Sequence, residues 1–189
     1  MKEKNSFYTK NELNKLGLKK VGKNVNISRK SSFYSPEKTS LGNNVRIDDF
    51  CILSGEITIG SYVHISAYSA LYGSHGIKID DFCGLSPRVI IFSATDDFSG
   101  EFMIGPMVPN NFTNIIGGKV IIKQFVQIGA GSIVLPNVKL NEGAVVGAMS
   151  LVNKDVCEWS INAGITSRYL KKRSNKLVDF ANQILKLPH

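Results

Sequence analysis

The sequence predicts an all-β fold in which the backbone winds as a parallel β-helix. Large apolar residues recur six positions apart, and the fourth residue after nearly every one is small or β-branched. The period is lost only between about residues 93 and 119. An amphipathic helix repeats every 3.6 residues and a half-buried strand every 2, so neither explains a period of six. A coil with three flat faces, each a short strand followed by a tight turn, does explain it.

Eighteen large residues keep this phase, with two-residue slips after Phe33 and Leu71. They are Val21, Ile27, Phe33, Leu41, Ile47, Leu53, Ile59, Ile65, Leu71, Ile79, Leu85, Ile91, Ile122, Ile128, Val134, Leu140, Val146 and Val152. The small positions that follow include Cys51, Ser69 and Thr95. Each large residue is expected to fill the interior of the coil beside a corner. A generic all-β sandwich is the competing interpretation.

The two ends of the chain are predicted to be helical. Residues 1–20 form an N-terminal helical cap, in which Thr9 and Glu12 have the spacing of a capping box. Residues 168–189 form a C-terminal helix that covers the last coil or a neighbouring subunit. Its apolar stripe consists of Leu177, Phe180, Ala181, Ile184 and Leu185. The β-helix itself spans 21–167 and carries an extended loop at 92–119.

Composition and charge exclude several classes of function. The net charge of +8 comes mainly from basic residues in 1–30 and 168–176, but aromatic residues are not interleaved with them as in a nucleic-acid surface. No apolar run approaches the roughly 20 residues that cross a bilayer. Cys51, Cys83 and Cys157 lack metal-ligand or CxxC spacing, which favours free thiols in a reducing compartment. The protein is therefore predicted to be cytoplasmic.

The chemistry is expected where the repeat is broken. The breaks are YSPEKTS at 34–40, YGSHG at 72–76 and the long excursion at 92–119. The second places His75 on a projecting corner, and the third contains Asp96, Asp97 and Glu101. A loop of this length within a regular coil is usually functional. A non-catalytic scaffold would not need such an acidic loop.

Three segments resemble a known enzyme family: VRIDDFCILSG (45–55), HISAYSALYGSHGIKIDDF (64–82) and FSATDDFSGEFMIGP (92–106). They are similar to acyltransferases that modify the amino group of dTDP-4-amino-4,6-dideoxyhexoses such as dTDP-viosamine. The resemblance implies a left-handed parallel β-helix and acetyl-CoA as cosubstrate. It also implies a homotrimer whose active sites are each shared by two subunits, and a role in O-antigen or surface-polysaccharide synthesis.

The sequence favours N-acetylation over O-acetylation. In the related galactoside and xenobiotic acetyltransferases a catalytic histidine stands just before the extended loop, where this chain reads FSATDD. An alcohol needs a base to lose its proton, whereas a sugar amine is partly neutral near pH 7–8 and needs mainly to be held in place. Sugar O-acetylation of the galactoside or maltose type is the alternative. A carbonic-anhydrase-like metal site would need three converging histidines, and His64, His75 and His189 lack suitable spacing; no metal is predicted.

The acids of the loop are the first candidates for the site. Asp96 and Glu101 are assigned to orient the amine and to bear its positive charge after attack, with Asp97 as the competing candidate. The alternative is that these acids are solvated charges of the loop. His75 is predicted to contact the sugar or to shuttle a proton, although a structural corner histidine fits as well. Ser86 is a candidate for hydrogen bonding the substrate or the oxyanion, or simply a small turn residue. His64 is a corner residue or a substrate ligand.

For CoA, the resemblance implies backbone groups of the later coils along the pantetheine arm. The matching positions are Gly129, Ala130, Gly147 and Ala148. The family usually ends its coil with a segment like AGNPAK, whereas this chain has AGITSR at 163–168 and lacks the proline. The candidates for the CoA phosphates are Arg168, Lys171 and Lys172, unless they are solvated charges at a helix end.

Overall fold

The structure is a computed structural model that describes residues 6–187. In this range the chain forms twenty short strands and two short α-helices. None of these helices is long and apolar enough to cross a membrane. In chain order the elements are α1 (Lys10–Leu13), β1 (Lys20–Val21), β2 (Asn26–Ile27), β3 (Ser32–Tyr34), β4 (Thr39–Leu41), β5 (Val45–Ile47), β6 (Ile52–Ile59), β7 (Val63–Ile65), β8 (Ala70–Ile79), β9 (Gly84–Leu85), β10 (Ile90–Phe92), β11 (Ala94–Asp96), β12 (Ile115–Gly117), β13 (Val120–Ile122), β14 (Gln127–Ile128), β15 (Ile133–Val134), β16 (Lys139–Leu140), β17 (Val145–Val146), β18 (Leu151–Val152), β19 (Ser160–Ala163), β20 (Arg168–Lys172) and α2 (Leu177–Ile184).

Successive turns of the coil stack strand on strand in parallel, which gives three faces. The first face consists of β2, β5, β7, β9, β14, β17 and β19. The second face consists of β3, the starts of β6 and β8, β10, β15 and β18. The third face consists of β1, β4, the ends of β6 and β8, β13 and β16. The predicted parallel β-helix is confirmed.

The interior is built from the residues that the period of six selects. Sixteen of the eighteen in-phase residues are buried, and the other two, Val21 and Phe33, pack against the core while partly exposed. Burial of one such aliphatic side chain is worth about 1.5–3 kcal/mol. Thr95, one of the small positions of the repeat, was predicted to face the interior as well, and this is wrong. The chain leaves the coil after β10, and Thr95 lies in the half-exposed strand β11.

The N-terminal cap is confirmed in its capping box but is shorter than predicted. Helix α1 is one turn long, and Thr9 and Glu12 bond each other's backbone amides at its start. Leu13 closes the end of the core. Glu12 also forms a two-pronged ion pair with Arg29, at 2.6 and 2.7 Å. The cap is thereby tied to the first coil; residues 1–5 of the predicted cap lie outside the described residues.

Acid is expected to loosen this cap. The hydrogen bond from Arg29, with those from Thr9, lowers the pKa of Glu12 to about 2 from an ordinary value of 4.5. The folded pKa is therefore below the unfolded one, so the stabilisation is complete above about pH 4.5 and is lost as the pH falls towards 2. Thermal unfolding of Glu12→Gln and the unchanged chain should differ at pH 7 and converge near pH 2. The exposed Glu37→Gln is the control, and equal melting at pH 7 would contradict the prediction.

The prediction of a helix over 168–189 is wrong at its start. Residues Arg168–Lys172 form strand β20, which pairs antiparallel with β19 and covers an edge of the last coil. The helix begins only at Leu177. Of the predicted stripe only Ala181 is buried, while Phe180 and Ile184 are exposed. The edge of β19 that does not face β17 needs a hydrogen-bonding partner, and this need decides the structure of 168–172. Residues 188–189 lie beyond the described part.

Candidate active site

All three breaks in the repeat project from one corner of the prism, where the second face turns into the third. Segment 34–40 forms a 3₁₀ turn between β3 and β4. Segment 72–76 is a bend within β8, two turns of the coil further on, with β6 between them. The long excursion leaves after β10 and returns at β13, and β8 pairs with both of these strands. The sequence predicted the breaks but not that they share one corner, where the second and third lie on adjacent turns.

A two-stranded hairpin forms the base of the long excursion. Strands β11 and β12 pair antiparallel, with Ala94 opposite Gly117 and Asp96 opposite Ile115. Residues directly opposite in such a pair point to the same face of the hairpin, and the direction alternates along each strand. Ala94, Asp96, Ile115 and the side-chain position of Gly117 therefore share one face.

His75 lies against that same face. A Cβ atom placed on Gly117 would lie 2.6–2.7 Å from three imidazole atoms of His75, so the ring packs flat where a side chain would point. Asp96 extends from this face two residues beyond Ala94, about 7 Å along the strand. Its Oδ1 accepts one long bond from the amide of Gly105, at 3.4 Å. The structure thus brings His75 and a half-exposed carboxylate onto one surface.

Asp97 points to the opposite face and is occupied by the loop. Only 9% of it is exposed. Its Oδ1 accepts from the amide of Ser99 at 2.7 Å and its Oδ2 from the side-chain amide of Asn114 at 2.8 Å. These bonds, those from Ser99 foremost, hold the pKa of Asp97 below its ordinary value. The geometry therefore assigns Asp97 to the folding of the loop and leaves Asp96 facing His75.

Glu101 stands apart from this pair. It is exposed on the outer part of the loop, and its amide donates to Ser99 Oγ at 3.1 Å. Within the described single chain its carboxylate forms no hydrogen bond or ion pair with His75 or Asp96. The structure does not bring Glu101 into the group that the sequence predicted.

Ser86 belongs to a different corner, where the first face turns into the second. Its amide donates to Ile128 O at 2.9 Å, and one turn further on the amide of Gly129 donates to Val146 O at 2.7 Å. Ser86, Gly129 and Gly147 therefore stack in one column along the prism. In a single chain the second face separates this column from His75 and Asp96.

The small residues of this column have a packing reason. A Cβ on Gly129 would lie 2.4 Å from the amide nitrogen of Ala148, and one on Gly147 would lie 2.8 Å from the Cβ of Ala163. Stacking of the coils thus requires these glycines with or without a ligand. Ala130 is half-buried and Ala148 is exposed, so the column also presents an open surface.

Of the predicted basic residues, Arg168 lies at the end of this column. Ala163, which contacts the Gly147 position, pairs with Arg168 across β19 and β20. Lys171 and Lys172 follow on the same strand, and all three basic residues are exposed. The column and Arg168 therefore form one continuous track. Lys171 and Lys172 lie further along β20, opposite Ile161 and Ser160.

Arg173 is a residue that sequence reasoning missed. Its guanidinium donates to the carbonyl oxygens of Phe125 and Gly143, at 2.6 and 2.9 Å, and its amide donates to Trp159 O. These hydrogen bonds anchor the segment after β20 to three turns of the coil. Nothing in the sequence distinguishes it from the other basic residues of 168–176.

His64 lies on the first face and is held by an acid. Its Nε2 is 2.7 Å from Asp48 Oδ2, and Arg46 Nε is 2.7 Å from Asp48 Oδ1. Burial raises the pKa of Asp48, but the hydrogen bonds from Arg46 and His64 outweigh burial and lower it overall. The structure places His64 away from the His75 group.

No metal site is evident in residues 6–187, and two of the three cysteines, Cys51 and Cys83, are buried. No group of three or more His, Cys, Asp or Glu side chains there has the arrangement to hold an ion. The three cysteines are free. Burial raises the pKa of the Cys51 thiol to about 11 and that of Cys83 to about 12, so both stay protonated near neutral pH.

Comparison with known proteins places this chain in a family. No family model matches the chain. The dTDP-4-amino-4,6-dideoxy-D-glucose acyltransferase of Escherichia coli is 46% identical over 171 residues, which cover 89% of each chain. The structure of AntD, an N-acyltransferase from Bacillus cereus, in complex with dTDP and 3-hydroxybutyryl-CoA has 53% identity and a TM-score of 0.94, covering 97% of this chain and 98% of AntD.

A more distant structure shares the fold alone. A maltose O-acetyltransferase from Clostridium difficile superposes with a TM-score of 0.54 at 21% identity, covering 87% of this chain and 75% of its own. The identity and coverage of the two nearer relatives are much higher. The chain therefore belongs to the family of dTDP-4-amino-4,6-dideoxyglucose N-acyltransferases, which are acyl-CoA-dependent enzymes with a left-handed parallel β-helix fold.

Proposed function

We propose that the protein transfers an acetyl group from acetyl-CoA to the 4-amino group of a dTDP-4-amino-4,6-dideoxyhexose. The observation that carries the proposal is the half-exposed carboxylate of Asp96 on the surface against which His75 packs. A carboxylate there is suited to an amine, which it can orient and whose positive charge it can bear. Such a site does not need the histidine before the loop that sugar O-acetylation uses, and FSATDD lacks one.

In the reaction the neutral amine attacks the thioester carbonyl carbon. The C–N bond forms, the C–S bond breaks, the sulfur leaves as CoA thiolate, and the nitrogen gives up a proton. Asp96 holds the amine in line and stabilises the ammonium that follows attack. His75 contacts the sugar or passes the released proton to solvent, and the Ser86 hydroxyl donates to the oxyanion.

The choice of Ser86 and Asp96 has independent support. Structures have been solved of AntD variants in which one serine or one aspartate is replaced, and these two residues stand ten positions apart. Ser86 and Asp96 have the same types and the same separation.

Acetyl-CoA is proposed to lie along the track that runs from Ser86 to the basic strand. Backbone groups at Gly129, Ala130, Gly147 and Ala148 would bind the pantetheine arm. Arg168, Lys171 and Lys172 supply exposed cations at the end of the track for the phosphates. The thioester would then be near Ser86, where the acyl group is transferred.

We propose a homotrimer, because the two halves of the site lie on different corners of one chain. A pocket that uses both the Ser86 column and the His75–Asp96 surface needs the corners of two copies. The loop also exposes large apolar side chains, up to 94% at Met107, as expected of a surface that another subunit covers. They are Phe98, Phe102, Met103, Ile104, Met107, Phe112, Ile115 and Ile116. Glu101 and Asp97 belong to this loop, and Glu101 would reach the acceptor across the subunit boundary.

Free thiols fit a cytoplasmic enzyme, and the product would serve O-antigen or other surface-polysaccharide synthesis.

His64 remains a candidate for contact with the nucleotide sugar. It lies on the first face, two residues before Ser66, whose amide donates to Leu85 O. His64→Gln tests this as a change in KM for the acceptor.

The test is release of CoA thiol from acetyl-CoA in the presence of alternative acceptors. We expect turnover with dTDP-4-amino-4,6-dideoxyglucose and none with galactosides or maltose. The matched control is the same nucleotide sugar with a hydroxyl at C4, which should not turn over. Turnover of galactosides or maltose alone would establish sugar O-acetylation instead. Running acetyl-CoA beside 3-hydroxybutyryl-CoA, the donor bound to AntD, identifies the acyl group.

A further inference from the structure

A buried serine joins the start of the long excursion to the bend that carries His75. Ser93 is 0% exposed and lies between β10 and β11. Its amide and its hydroxyl both donate to Tyr72 O, each at 2.9 Å. Its hydroxyl also accepts from the amide of His75, and its carbonyl accepts from the amide of Gly118, again at 2.9 Å. Ser93 thus bonds both sides of the bend and both ends of the excursion.

The imidazole of His75 also contacts the β11–β12 hairpin directly. It packs flat against Gly117, which is one residue before Gly118 and directly opposite Ala94. Ser93 precedes Ala94, so the backbone of His75 and its ring are held by adjacent parts of one hairpin. Asp96 extends from that hairpin.

We propose that Ser93 is a positioning residue for acyl transfer, whose hydroxyl fixes His75 relative to Asp96. The inference rests on the proposed function, since it takes these two residues as parts of the site. They lie on segments about twenty residues apart in the chain, and Ser93 is the side chain that bridges the segments. Without its hydroxyl the His75 amide loses the acceptor that Ser93 provides, and the bend must shift to find another.

A small shift there has a large effect on rate. Reaction of an amine with a thioester requires contact at about 3–3.5 Å, and a misplacement of 1 Å can cost about a hundredfold. The donor track lies on another corner and does not depend on Ser93. Loss of the hydroxyl should therefore lower kcat and leave KM for acetyl-CoA unchanged.

The experiment compares Ser93→Ala with Ser93→Thr, which keeps the hydroxyl. The matched control is Ser28→Ala, because Ser28 is also 0% exposed and its hydroxyl likewise donates and accepts, to Asp49 and from Lys30 N. With dTDP-4-amino-4,6-dideoxyglucose we expect Ser93→Ala to lower kcat about 10- to 100-fold, Ser93→Thr to recover most of it, and Ser28→Ala to keep it. Full kcat in Ser93→Ala, or equal losses in Ser93→Ala and Ser28→Ala, would overturn the proposal.

A second readout does not depend on turnover. The imidazole ¹H–¹³C resonances of the full chain can be assigned with His75→Gln and His64→Gln. Ser93→Ala should move the His75 resonance and leave that of His64 in place. An unmoved His75 resonance overturns the proposal even if kcat falls, because the loss then arises elsewhere.

Gly117→Ala provides an independent perturbation. The added Cβ displaces the imidazole from its other side and leaves the Ser93 bonds intact, so kcat should fall and the His75 resonance should move. If the unchanged enzyme shows no turnover of the amino sugar, the proposed function fails, and the resonances alone decide whether Ser93 positions His75.

Discussion

Asp96→Asn is expected to lower kcat about a hundredfold while the protein keeps its fold and its KM for acetyl-CoA. The neutral amide still fits beside Gly105 N but cannot bear the charge that the nitrogen gains on attack. Steady-state kinetics with dTDP-4-amino-4,6-dideoxyglucose, together with a melting curve, measures both effects. The half-exposed side chain forms one long bond, so little stability depends on it.

The neighbouring acid is the matched control. Asp97→Asn makes the same chemical change on the opposite face of the hairpin, where both oxygens accept bonds from the loop. It should loosen the loop, seen as faster limited proteolysis between residues 98 and 113, and lower kcat less than Asp96→Asn does. If the two variants lose kcat equally without a change in proteolysis, the distinction between the two acids is wrong.

Gly129→Val is expected to destabilise the last turns of the coil. A side chain there meets the amide nitrogen of Ala148 at 2.4 Å, a backbone atom that cannot move aside alone. Overpacking of this kind costs about 1–3 kcal/mol, which lowers the melting temperature by about 2–12 °C in a chain of this size. KM for acetyl-CoA should rise as well, because the same column is the proposed donor track.

Ala130→Val is the control for this second change, since it adds similar bulk beside the column at a half-exposed position. It should affect KM for acetyl-CoA more than stability. An unchanged melting temperature for Gly129→Val would show that the glycine serves the ligand and not the packing.

The sequence predicts the scaffold well because the period of six is a local property. Each large residue, such as Ile65 or Leu85, reports the geometry of its own corner and strand. The stacking of neighbouring turns then follows from geometry. The sequence also singles out the acids of the loop as candidates, since Asp96 and Glu101 stand in the one long interruption of the repeat.

Long-range contacts determine the geometry of the site and the structure of the C-terminal segment. His75 and Gly117 are 42 positions apart in the chain, and no pattern in either segment indicates that one packs on the other. Strand β20 forms because β19 needs a partner, which the sequence of 168–172 does not reveal. The choice between Asp96 and Asp97 depends on the direction of each side chain in a hairpin whose register only the structure shows.

The coil closes behind the excursion, since β8 pairs directly with β13 and the amide of Gly118 donates to Ser93 O at 2.9 Å. Residues 94–117 are thus inserted between two points that already touch, so their length adds little to the cost of closing the chain. Acceptor preference can diverge in such an insert while the prism stays the same. Transplanting this segment between relatives should exchange the sugar that is acylated without disturbing the thioester donor.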